Sequence, residues 1–185
     1  MQQEVRDRGY TETRNEPGRL GDVRAGSEAL ATAVGCPEAG GELRAAAERR
    51  GASVDERVGS VLAEDPRPRP VVYCEEWSDP PMAAGNWVPD AVRAAGGRYP
   101  FVDPGERSRE VDLAAVERAD PDHVIVHVCG HGDRVDPETI AARDWAVDAP
   151  VRVIDDSLLN QPSPALIDGV ERLAGLFHPE IETYS

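Results

Sequence analysis

The stretch HVIVHVC, residues 123–129, most limits what this chain can fold into. A strand that alternates polar and apolar residues can leave one face in water, whereas a continuous apolar run has to be covered on both faces. VVYCEE (71–76) and VRVID (151–155) have the same texture. Between and after these runs lie segments with helical spacing: NWVPDAVRAAGG (86–97), VDLAAVERA (111–119), PETIAARDWAV (137–147) and SPALIDGVERLAGLF (163–177). YPFV (99–102) predicts a short edge strand. Buried strands separated by helices of this length predict an α/β fold, a three-layer lobe whose mainly parallel sheet is flanked by helices.

Upstream of the stiff PRPRP break (66–70) the texture is helical only. Leu20, Val23, Leu30 and Val34 mark one face and Gly35 ends it. Pro37 then opens a long segment striped by Leu43, Ala46, Ala47, Val54, Val58, Val61 and Leu62. Four glycines in that segment, each about 1 kcal/mol worse than alanine in a helix, imply that it leans on a neighbour. Residues 1–18 are polar and aperiodic and read as a loosely ordered arm. The expected organisation is therefore an arm (1–18), a helical segment (19–66) and an α/β lobe (67–185). With 185 residues, 40% of them hydrophobic, there is material for one good core.

The charge narrows the function classes. The formal net charge is −15, and all 20 basic residues are arginine. Such a surface repels phosphate backbones and anionic headgroups, so neither nucleic-acid binding nor membrane insertion is expected. Acidic excess spread along the chain without lysine suits a halophilic protein in molar salt; an acidic protein from a GC-rich genome is the alternative. Cys36, Cys74 and Cys129 are too few and scattered for a disulfide scaffold and fit a reducing compartment. With no apolar leader in MQQEVRDRGYTETRNEPGR, the chain as written reads as cytoplasmic.

In parallel sheets ligands bind beyond the carboxyl ends of the strands. Three loops are expected there: EWSDPPMAAGNW (76–87), CGHGDR (129–134) and DDSLLNQPSP (155–164). The first sets Trp77, Met82 and Trp87 beside Pro80 and Pro81, a flat polarizable wall for a large apolar or conjugated ligand. Trp87 can equally open a helix and pack on the sheet. In the second, His127, Cys129, His131 and Asp133 are spaced by two, a ligand set for zinc or iron if the strand ran on; Gly130 and Gly132 should break that alternation. In the third, Asn160 and Gln161 offer neutral hydrogen bonds, Asp155 and Asp156 suit capping, and Ser163 with Pro164 reads as a helix start. No nucleophile elbow, P-loop or dinucleotide fingerprint is present.

Taken in order, PVVYCEEWSDPPMAAGNWVPDAVRAAGG (70–97), ADPDHVIVHVCG (119–130) and QPSPALIDGVERLAGLFHPE (161–180) resemble the C-terminal lobe of the cobalamin-binding proteins of ABC transporters. These belong to the helical-backbone solute-binding proteins for cobalamin, haem and iron siderophores. Residues 22–58 are similar to the region that leads into and forms the helix joining the two lobes in that family. The resemblance implies a non-catalytic protein holding a corrinoid or other macrocycle, cobalamin being the possible ligand, with an ABC transporter as partner and an extracytoplasmic location. It puts Trp77, Pro80, Pro81, Met82, Asn86 and Trp87 on the ligand-facing edge, Cys129, Gly130 and His131 in the second loop of the cleft, and Leu158 to Gln161, with Asn160, in the third. The chain departs from the family's pattern at Asn86 (a histidine there), at Leu158 and Leu159 (an aromatic pair) and at Ala165 (an arginine). The family's N-terminal lobe is expected to be missing. Two other functions stay open: a lone lobe that dimerises or pairs with a separately encoded N-terminal lobe, and a small metal-dependent enzyme built on His127, Cys129, His131 and Asp133.

Overall fold

The computed structural model describes residues 16–64 and 67–181. Most of the expected arm lies outside the described residues. Two helices come first: α1, Leu20–Ala33, and α2, Pro37–Glu64. Asp22 in the first turn of α1 accepts hydrogen bonds from the Gly18 and Arg19 amides, and Gly35, in the left-handed region at φ 82°, turns the chain between the helices. The two pack side by side. The buried positions of α2 are Gly40, Gly51, Val54 and Val58 rather than the full apolar stripe, and Leu43 is exposed. A methyl group on Gly40 would sit 2.5 Å from the Ala31 side chain, so this glycine permits the approach of α1.

The rest is an α/β lobe: β1 Val72–Ser78, β2 Pro81–Ala83, α3 Val88–Ala94, β3 Arg109–Glu110, α4 Leu113–Ala119, β4 His123–Val126, α5 Pro137–Ala141, β5 Val151–Val153, a 3-10 turn Asp156–Leu158, and α6 Leu166–Phe177. The sheet order is β3-β2-β1-β4-β5. β1, β4 and β5 run parallel, as their buried apolar texture predicts, whereas β2 and β3 extend the sheet antiparallel beyond β1. The sheet is therefore mixed, with its parallel half where the three strong runs lie.

Two local expectations are corrected. YPFV forms no strand. Arg98 alone bridges Val71, while Tyr99 and Phe101 turn inward and stack edge to face on each other, and Phe101 meets Tyr73 in the same way. The run is apolar because it is core, and the Tyr99 hydroxyl donates to the Ala84 carbonyl at 2.8 Å. Ser163 does not cap the last helix either; α6 begins at Leu166 behind a turn in which the Ser163 carbonyl accepts from the Leu166 amide. Asp112 and Asp136 do cap α4 and α5, accepting from the Ala114 and Glu138 amides.

Arginine ion pairs fix the N-terminal helices to the lobe. Arg19 makes a bidentate pair with Asp90 on α3, and Arg50 on α2 reaches Asp168 and Glu171 on α6. Among the described residues no helix is long and apolar enough to cross a membrane.

Candidate functional site

The carboxyl ends of β1, β4 and β5 bring the three expected loops to one edge of the sheet. The first loop leaves β1 through a bulge: Glu75 pairs with Ala83 and Trp77 with Met82, leaving Glu76 as the extra residue. The chain turns back through a cis Asp79–Pro80 peptide bond. Trp77 is 43% exposed, yet its indole Nε1 donates to the Asp79 carbonyl at 2.8 Å, which fixes the ring on the turn. Pro80 is exposed; Pro81 and Met82 are half-buried beside it.

Trp87 behaves differently. It precedes α3, is 8% exposed, and donates its Nε1 to the Leu159 carbonyl at 2.7 Å. Its indole is thus a core group that carries the third loop, not part of an open wall. The reason is its place at the helix start, directly over the sheet. Asn86, half-buried beside it, takes the left-handed conformation (φ 52°), which asparagine tolerates better than most residues. Gly85 is wedged against the 106–108 backbone, where a side chain would meet atoms at 2.4–2.5 Å.

In the second loop the strand ends at Val126, and Gly130 and Gly132 both have positive φ, so the alternation of His127, Cys129, His131 and Asp133 is lost. His127 is fully buried and its Nδ1 meets the Asn160 side-chain oxygen, while the Asn160 amide donates back to the His127 carbonyl at 2.9 Å. Complete burial is the main cause that lowers its pKa to about 4, against the smaller raising effect of Asn160. Cys129, Gly130, His131 and Asp133 are exposed. Among the described residues no three histidine, cysteine or acidic side chains gather to hold an ion, and the chain does not assemble these four.

The second and third loops are laced together. The Asp156 carboxylate accepts from the Gly130 amide at 2.7 Å and the Gly132 amide at 2.9 Å, a role beyond the capping expected of it. Asp155 does cap, accepting from Ser157, which lowers its pKa. Leu159 is fully buried and Leu158 half-buried, turned toward the groove between α2 and α6 with Arg50 and Arg57. Gln161 is exposed. Of the expected residues, Trp77, Pro80, Cys129, Gly130, His131 and Gln161 therefore present themselves at the edge, with Pro81 and Met82 partly so. Trp87, Asn160 and Leu159 hold it from beneath.

A group absent from the sequence reading lies under the first loop. Glu75, fully buried, accepts from Tyr73 Oη at 3.0 Å, Ser78 Oγ at 2.6 Å, and Arg143 Nη1 and Nη2 at 2.6 and 2.8 Å. Its signal was a charge inside a strand otherwise read as apolar, since a buried carboxylate demands partners. Burial, then the charge of Glu75, pushes the Tyr73 hydroxyl far up, so it remains a donor.

No protein-family model matches the sequence, and no curated protein matches it. Solved structures do match. The periplasmic vitamin B12-binding protein BtuF of Vibrio cholerae is similar over 98% of this chain and 70% of its own, at 16% identity and a TM-score of 0.72. A periplasmic heme-binding protein from Pseudomonas aeruginosa matches all of this chain and 69% of its own, at 19% identity and a TM-score of 0.79. An ABC-type Fe3+-hydroxamate transport protein from Saccharomonospora viridis matches 88% of this chain and 57% of its own, at 21% identity and a TM-score of 0.67. The chain shares their fold, the one its sequence motifs resemble.

Proposed function

We propose that the chain is a non-catalytic binding lobe of the ABC-transporter type that takes a corrinoid or comparably large macrocycle at the carboxyl edge of its sheet. The observation that carries this is an indole held rigidly yet left open at that edge, on a fold shared with proteins that bind vitamin B12 and heme. Trp77, backed by Met82 and the Pro80–Pro81 corner, stacks on the ligand; the exposed Gln161 side chain supplies hydrogen bonds. Trp87, Asn160 and Leu159 act as support for that face. Covering an exposed indole is worth a few kcal/mol at most, so affinity from this one wall is modest unless another surface closes over the ligand.

Titration with cobalamin in molar KCl, followed by visible absorbance or calorimetry, tests the reading. Binding is expected, and Trp77→Ala weakens it about tenfold or more. No binding up to near-millimolar cobalamin or haem sinks it.

A second reading is favoured by the exposed Leu30 on α1, Val34 just after it and Leu43 on α2: this apolar surface pairs with a separately supplied lobe or with a second copy of the chain. Sedimentation velocity at high salt separates the self-association form, which a monomer at all concentrations rules out.

A further inference from the structure

We propose that Glu75 and Arg143 are positioning residues, a buried clamp that sets the pose of Trp77; this rests on the reading of Trp77 as the ligand wall. The four bonds to Glu75 fill the acceptor positions of its carboxylate. One comes from Ser78, the residue after Trp77, and Arg143 Nη2 also donates to the Ser78 carbonyl at 3.3 Å. The hydroxyl and the carbonyl of Ser78 are thereby tied to one buried ion pair. Trp77 lies between this anchored residue and the bulge, and its own Nε1 is bonded one residue further on, to Asp79.

The clamp is built from outside the hairpin. Arg143 follows α5, in the crossover that leads from the second loop to β5, and its guanidinium lies 5.6 Å from the Trp145 ring centroid. Trp145 in turn meets Tyr73 edge to face. The side chain of Glu75 is fully buried and that of Arg143 is 15% exposed. A well-packed apolar pair would stabilise such a place as well as a desolvated ion pair does. What the bidentate pair adds is direction, because a guanidinium fork and a carboxylate fit in one geometry. The exposed indole is thus aimed by groups that the ligand never touches.

The test uses the full chain labelled with 5-fluorotryptophan, whose three tryptophans give three fluorine resonances, that of Trp77 assigned by Trp77→Phe. Ser78→Ala removes one bond and leaves the ion pair; Arg143→Lys keeps the charge and loses the fork. Both are compared with wild type in molar KCl, without ligand. The expected result is a moved or broadened Trp77 resonance in both folded variants, with Trp87 unmoved. An unchanged Trp77 resonance overturns the proposal, and so does an equal disturbance of Trp87, which would mean general loosening. Cobalamin titration adds a second readout: Ser78→Ala weakens binding about threefold to tenfold in wild type and has no further effect in Trp77→Ala. An equal loss in both backgrounds overturns the clamp. If wild type takes no cobalamin, the binding reading fails, and the fluorine spectra still decide whether the clamp sets Trp77.

Discussion

His127 stays neutral at physiological pH because complete burial leaves its imidazole no solvent, and Asn160 then holds it by Nδ1. In the unfolded chain the same ring titrates near its ordinary value of about 6.5. The unfolded state therefore binds more protons, so stability from this group is full above about pH 6.5 and falls as pH drops toward 4. The loss is on the order of 3 kcal/mol. His123, lowered by burial and then by Arg152, acts in the same direction. Denaturant midpoints at pH 7.5 and 5 should separate in wild type, and His127→Gln, which can still donate to Asn160, should lose much of that separation. If the variant keeps the full slope, the titration belongs elsewhere. The sequence already set the two tryptophans of the first loop apart, because Trp87 stands where a helix opens; what it did not show is the strand bulge that turns Trp77 outward. The charge of Glu75 within an apolar run was legible but its pairing with Arg143 was not, since 68 residues separate them and only tertiary folding joins them.

Among elements, the strongest runs were the most legible: β4 and β5 fall inside their apolar stretches, and β1 starts in its own and runs two residues beyond it to Ser78, because burial on both faces leaves little choice of residue. The antiparallel flank was not. β2 and β3 have three and two residues, too short for any periodicity, and they form because the bulged hairpin leads the chain back alongside β1. The α2 glycines show how one residue type carries opposite meanings within a helix. Gly40 faces Ala31 at a distance no methyl group can share, whereas Gly41 has nothing within 4 Å of the position a side chain would take. Gly41→Ala should therefore stabilise the protein by roughly 0.5–1 kcal/mol through helix propensity, and Gly40→Ala should destabilise it by about 1–3 kcal/mol through crowding. Thermal or urea denaturation of the two variants checks this; the same sign for both would contradict the α1–α2 packing described.

For the molecule as a whole, a net charge of −15 sets the conditions under which everything above is to be observed. Carboxylates that repel one another in dilute buffer are screened within about 3 Å at 1 M salt, against about 10 Å at 0.1 M. Raising KCl from about 0.1 to 2 M should lift the melting temperature by roughly 2–12 °C, as relief of about 1–3 kcal/mol would in a chain of this size. A flat or falling response would favour the GC-rich-genome explanation of the acidity over adaptation to salt. The same screening removes the repulsion that keeps copies apart, and strong salt also favours burial of apolar surface. Under those conditions an open sheet margin would invite a neighbour to add its own strand. Here both outer strands are stubs, β3 of two residues with Arg109 and Glu110 and β5 of three with Arg152 at its centre. Each offers too short and too charged a template for continued pairing. The sheet is thus protected against edge-to-edge aggregation at any salt concentration high enough that net charge no longer keeps the protein dispersed.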